Sequence, residues 1–160
     1  MHKISPAMHK TALRLIVAAA LCAGSAPAIA SDIHAVFLSR ADSAMRCAAL
    51  YDVAAEVSLR VMHDKGAYNW NRAAFQDAFT WGVNLQSASR VASGPVQRYP
   101  EYKTVMTVLA NKAVAEGHAG SFFLSLAKTC QKEFKRTAQI VRGYLAEAEA
   151  EAETPDSDRE

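Results

Sequence analysis

The chain has 160 residues, 51% of them hydrophobic and 21% charged, with a formal net charge of +2 and a mean hydropathy of −0.05. That is enough chain for one domain with a real core. Nothing after Ala30 is apolar for long enough to form a transmembrane helix, and the charge is too modest to suit a nucleic-acid partner.

The first thirty residues read as an export signal. His2, Lys3, His9, Lys10 and Arg14 precede any acidic residue, the first being Asp32, and an apolar run from Leu15 to Ala23 follows. That run is too short to cross a bilayer at 1.5 Å per residue. Gly24, Ser25 and Pro27 break it, and Ala28-Ile29-Ala30 offers the small residues that a signal peptidase requires, so cleavage is expected after Ala30. Met8 repeats the opening Met-His-Lys and is an alternative start. Cys22 is not a lipidation site on this pattern, since Ala19 and Leu21 stand where a lipobox wants a branched residue and a small one. The short, alanine-rich signal points to a bacterial periplasm or the medium outside.

Without residues 1–30 the chain keeps 15 of its 18 Lys and Arg against 16 Asp and Glu, a net of −1. Residues 31–146 carry 14 basic and 9 acidic groups, and residues 147–160 carry 7 acidic groups with Arg159 alone opposing them. Two cysteines remain, Cys47 and Cys130. In an oxidising compartment an even pair closes into a disulfide, and the spacing matches no zinc or haem pattern. A loop of this length would gain roughly 4–5 kcal/mol from the bridge on the chain-entropy model.

Four helices are predicted. Asp32 is the expected N-cap of the first, whose residues Ala44, Cys47, Tyr51, Ala54, Ser58 and Val61 recur on one face; Gly66 is its expected stop, with a kink near Ser39–Asp42. A second helix is expected to open at Asn69 or Asn71 and to run to about Ser93, with Trp70, Ala74, Ala78, Trp81, Leu85 and Ala88 as its apolar stripe. Gly94-Pro95 stops it. Pro100 then stands in the first turn of a third helix, which presents Tyr102, Val105, Met106, Leu109 and Ala113 and ends at Gly117. Ser121 should cap a fourth, whose buried face carries Phe123, Leu126, Cys130, Phe134, Ala138, Val141 and Leu145. The Ala/Glu tail from Glu147 extends this helix before structure is lost from Thr154. Short connections imply an all-α, up-down-up-down four-helix bundle over residues 31–146, with Cys47 and Cys130 bridging the neighbouring first and fourth helices.

Catalytic and metal signatures are not found in the sequence. His34, His63 and His118 stand apart, there is no His-Glu-x-x-His or Cys-x-x-Cys-His, and no Gly-x-Ser-x-Gly elbow occurs. No cofactor is implied and an enzyme is not expected. The aromatic cluster of helix two, Trp70, Phe75, Phe79 and Trp81 beside Gly82, with Tyr102 from helix three, is a candidate groove for a partner or a small apolar ligand, against the plainer reading that it is core. Lys128, Lys132 and Lys135, with Arg136 and Arg142, form a basic face that suits an anionic lipid or peptidoglycan surface, though solvated helices often look the same. Two functions follow as expectations. One is a non-catalytic envelope protein that binds another protein through its helical surface. The other is a carrier of a small apolar ligand, which would need an enclosed apolar cavity of several hundred cubic ångströms.

Overall fold

Residues 27–153 are described by a computed structural model as four α-helices: α1 Pro27–Arg60, α2 Lys65–Ala88, α3 Tyr99–Ala115 and α4 Ala119–Glu153. The predicted signal up to residue 26 and the tail from Thr154 lie outside the described residues.

The contacts fix the directions. Moving along α1, Phe37 meets Tyr144, Arg40 meets Glu133, Cys47 meets Cys130 and Val57 meets Phe123, so α4 runs antiparallel to it. α2 is antiparallel as well, because Asp52 pairs with Arg72 while Met45 lies over Gly82. α3 runs parallel to α1: Asp42 meets Arg98 and Tyr102, Glu56 meets Lys103, and Val57 packs with Ala110. The result is an up-down-up-down order in which α1 is the hub. Its backbone comes within 8 Å of all three other helices, whereas α2 approaches only α1 so closely.

The amino-acid composition of α1 explains this. Nine successive residues, Cys47 to Ala55, are buried, and so are Ala41, Ala44, Met45, Val57 and Ser58. Alanine at 41, 44, 48, 49, 54 and 55 keeps every face of the helix thin, so neighbours pack against it from all sides. The single predicted face of α1 is therefore too narrow a description. Gly82 is the matching device on α2: a Cβ there would fall 2.2 Å from Met45 Cε, so the space beside this glycine is filled by Met45.

Several predicted ends move. α1 includes Asp32, so this residue is not its cap, and the helix stops at Arg60, leaving Val61 exposed in the turn. His63, at φ +52°, turns the chain, and Asp64 caps α2 by accepting a hydrogen bond from Ala67 N at 2.9 Å. Gly66 thus begins a helix instead of ending one, and Asn69 and Asn71 lie inside it. The side-chain amide of Asn71 donates to Ala67 O at 2.8 Å. α2 ends at Ala88, five residues short of Ser93. Pro100 does stand in the first turn of α3. Gly117, at φ +73°, closes α3 with Gly117 N donating to Val114 O and His118 N to Ala113 O, a Schellman motif. Ser121 lies within α4, and its hydroxyl donates back to His118 O.

The face α3 turns inward also differs from the prediction. Ala110 and Ala113 are buried, whereas Val105 and Leu109 point outward. Small residues are what a close approach to α1 demands, and the larger aliphatics fall on the other side. On α4 the predicted stripe holds: Cys130 and Val141 are buried, and Phe123, Leu126, Phe134, Ala138 and Leu145 are half-buried.

Candidate functional site

The sulfurs of Cys47 and Cys130 are 2.06 Å apart with Cα atoms at 5.7 Å, and both residues are buried in a cluster with Ala48, Leu50, Tyr51, Ala78 and Ala127. It is a structural bond in the core.

The five residues of the predicted groove do not converge on one cleft. Phe75 and Phe79 are together, their ring centroids 5.7 Å apart, and both pack on Tyr99 at the start of α3, at 6.1 and 5.3 Å. Trp70 lies edge-on to Tyr51 at 5.7 Å with 51% of its surface exposed. Trp81 joins a different cluster with Phe37, Leu85 and Val141. Tyr102 sits apart from all of these, donating its hydroxyl to Asp42.

A polar seam that no helical periodicity marks lies between α1 and α3. Asp52, only 7% exposed, accepts from Arg72 Nη1 at 2.9 Å, from the Tyr99 hydroxyl at 2.7 Å and from Lys103 Nζ at 2.7 Å. Lys103 Nζ also donates to Glu56 at 2.8 Å. Arg72 stacks over the Phe75 ring, 4.8 Å from its centroid. Burial pushes the Asp52 carboxyl up, but the hydrogen bonds from Lys103 and Tyr99 and the charges of Lys103 and Arg72 outweigh this and hold it below the usual carboxylate range. Burial first, and then the hydrogen bond to Asp52, pushes the Tyr99 phenol far above its ordinary value. Lys103 is raised by its bonds to Asp52 and Glu56. These shifts follow from one buried carboxylate held by three donors, with Glu56 sharing Lys103.

A second polar group lies nearer the N-terminal half of α1. Asp42 accepts from Arg46 Nε at 2.8 Å, from Arg98 Nη2 at 2.9 Å and from the Tyr102 hydroxyl. Beside it is an open depression of about 770 Å³ between α1 and the α2–α3 connector, lined by Leu38, Ser39, Asp42, Pro95 and Arg98 among others. The connector is clamped by buried Gln86, whose amide donates to Gln97 Oε1 at 2.9 Å while its own oxygen accepts from Val96 N at 2.8 Å.

The outer surface carries two further features. On α3, Val105, Val108 and Leu109 are 59%, 65% and 44% exposed and lie side by side at helical spacing. On α4, Lys128, Lys132, Lys135, Arg136 and Arg142 are exposed. Glu133, a near neighbour in sequence, turns the other way to Arg40 at 2.9 Å. Among the described residues, no three His, Cys, Asp or Glu side chains gather as a metal site, and no helix is long and apolar enough to cross a membrane.

No family model, curated protein or solved structure matches the chain.

Proposed function

We propose that this chain is an exported, non-catalytic helical protein of the bacterial envelope that works by binding another protein. The observation that carries the reading is the aliphatic stripe of α3. Three adjacent large aliphatics left on the outside of a helix form a contiguous apolar patch, which marks a partner surface more than scattered single residues do. The disulfide between α1 and α4 supports export, since such bonds persist in oxidising compartments. Residues 1–30 supply the signal pattern, and buried Asp52 is taken up by its own partners Arg72, Tyr99 and Lys103, as a structural ion pair is. The basic face of α4 extends the reading to anionic envelope surfaces as an accessory contact, supported by its cations being exposed.

The test is photo-crosslinking in the producing cell from a probe residue placed at 105 or 108, with 128 and 142 as reference positions. One discrete adduct from the α3 positions, lost on Val108→Glu in a protein of unchanged melting temperature, is expected. No adduct, or the same adducts from every position, overturns the reading. Fractionation checks export separately: the mature protein should be shorter by about the signal's mass, and an unprocessed chain inside the cell would sink that part.

A carrier of a small apolar ligand is the second reading: the roughly 770 Å³ depression is open and not the enclosed cavity expected, and what favours the reading is Trp70, half-exposed beside Tyr51. A blue shift of tryptophan emission on adding an apolar dye, abolished by Trp70→Ala, would move the balance toward it.

A further inference from the structure

The depression beside Asp42 has two chemically different parts. Its apolar part, called its floor below, is formed by exposed Ala35 and half-buried Leu38 of α1 and by buried Pro95 of the connector, with Ser39, Ser93 and Gln97 also lining the depression. The connector backbone is pressed close to α1 at this point: a Cβ on Gly94 would lie 3.2 Å from Leu38 Cδ1 and from Gln86 Oε1. At the other end stand Arg46 and Arg98, whose side chains are 65% and 52% exposed.

These two guanidiniums share one carboxylate. Arg46 spends Nε on Asp42 Oδ2 and Arg98 spends Nη2 on Asp42 Oδ1, so the trio carries one uncompensated positive charge. Both Nη groups of Arg46, and Nε and Nη1 of Arg98, have no partner among the described residues. The forks are also held in place, because each guanidinium lies against the Tyr102 ring, at 5.4 and 5.5 Å from its centroid. Two positioned arginine forks with spare donors match a planar carboxylate, which accepts paired N–H bonds. Each fork is already oriented by Asp42 and the Tyr102 ring, which lowers the ordering cost of binding a second carboxylate.

We infer that this groove binds a carboxylate on an aliphatic body, with the carboxylate on Arg46 and Arg98 and the hydrocarbon laid along Ala35, Leu38 and Pro95. From Ala35 to Asp42 is seven residues of α1, roughly 10 Å at the helical rise, which sets the length of chain that the floor accommodates. The site is separate from the α3 stripe and does not depend on the function proposed for it.

Octanoate, octanol, octylammonium and acetate are the probes, titrated into the oxidised mature protein and followed by amide NMR shifts. Octanoate should bind and shift the resonances of Leu38, Arg46, Gly94 and Arg98, at least tenfold more tightly than each of the other three. Equal binding of octanol or octylammonium would overturn the role of the arginines, and equal binding of acetate would overturn that of the floor. Arg46→Gln with Arg98→Gln should weaken octanoate at least tenfold. Since these changes also touch the α1–α3 contact, Ala35→Trp serves as the second variant: it fills the floor, leaves the Asp42 cluster alone and should abolish octanoate binding. Undiminished binding in Ala35→Trp, or no octanoate binding to the unaltered protein, refutes the site.

Discussion

Two seams meet on α1, and they are built from opposite materials. Against α4 the contact is covalent and apolar: the disulfide at its middle, Phe37 edge-on to Tyr144 at one end, Val57 clustered with Phe123 at the other, and, among the described residues, one ion pair between Arg40 and Glu133. Against α3 the first half of the contact is charged and phenolic: Asp42, Asp52 and Glu56 receive Arg98, Tyr99, Tyr102 and Lys103. Only beyond these do Val53 and Val57 pack on Ala110. Directional bonds can fix the register of a helix whose inward residues are small. The α3 seam uses them in that way, and the large aliphatics of α3 are thereby left for the surface. The α4 seam has large inward residues and a bond to hold its register, so it needs few polar contacts.

Removing the bridge is the strongest way to break this contrast. Cys47→Ser with Cys130→Ser should lower unfolding stability by about 4–5 kcal/mol, read from the urea midpoint, and raise hydrogen exchange in α4 more than in α3. Equal loosening of both helices would show that the two seams are one cooperative contact. Next in size is Asp52→Asn, which leaves Lys103 and Arg72 without their shared anion. About 2–3 kcal/mol is expected, with the exchange increase at the start of α3.

Acid sharpens the same point. The Asp52 carboxyl is held low in the folded chain, so its stabilisation is complete above the ordinary carboxylate value and is lost as pH falls through the lower native one. Lys103 and Tyr99 are shifted the other way, so their share persists through neutral pH and fades only above about pH 10. The melting-temperature gap between the natural protein and Asp52→Asn should therefore be flat near neutrality and close below about pH 4. A gap that widens in acid would contradict the assignment.

The α1–α2 contact provides a smaller perturbation that involves neither material. Gly82→Ala should cost about 1–2 kcal/mol, because buried Met45 has little room to withdraw. Smallest of all, Val108→Lys should leave the midpoint within about 0.5 kcal/mol, as befits a residue that holds nothing in the isolated chain. A larger loss would place Val108 in the core after all.

How much of this was legible in the sequence depended on residue size. The α4 stripe was readable because Phe123, Phe134 and Val141 are large and evenly spaced, and the cysteine pair because only two cysteines follow the predicted signal. α1 was misread as one-sided, since alanines carry little weight in a hydrophobic pattern yet are what lets three helices crowd it. The same bias assigned Val105 and Leu109 to the core in place of Ala110. Gly66 looked like a stop because glycine usually is one, but Asp64 two residues earlier carries the capping carboxylate. Apart from Arg46, one helical turn from Asp42, the Asp42 and Asp52 clusters join residues about 20 to 60 positions apart, and no local spacing announces such pairs.

The position of the disulfide has a further consequence for the chain once it is cut. Arg90 lies in the exposed connector, with α1, α2 and Cys47 before it and α3, α4 and Cys130 after it. Trypsin cleavage there yields two halves that remain a single particle, each a helix pair held to the other through one bond. On a gel the nicked protein would run as intact until a reductant is added, and only then as two bands. The separation of the nicked halves is thus set by reduction as much as by cleavage.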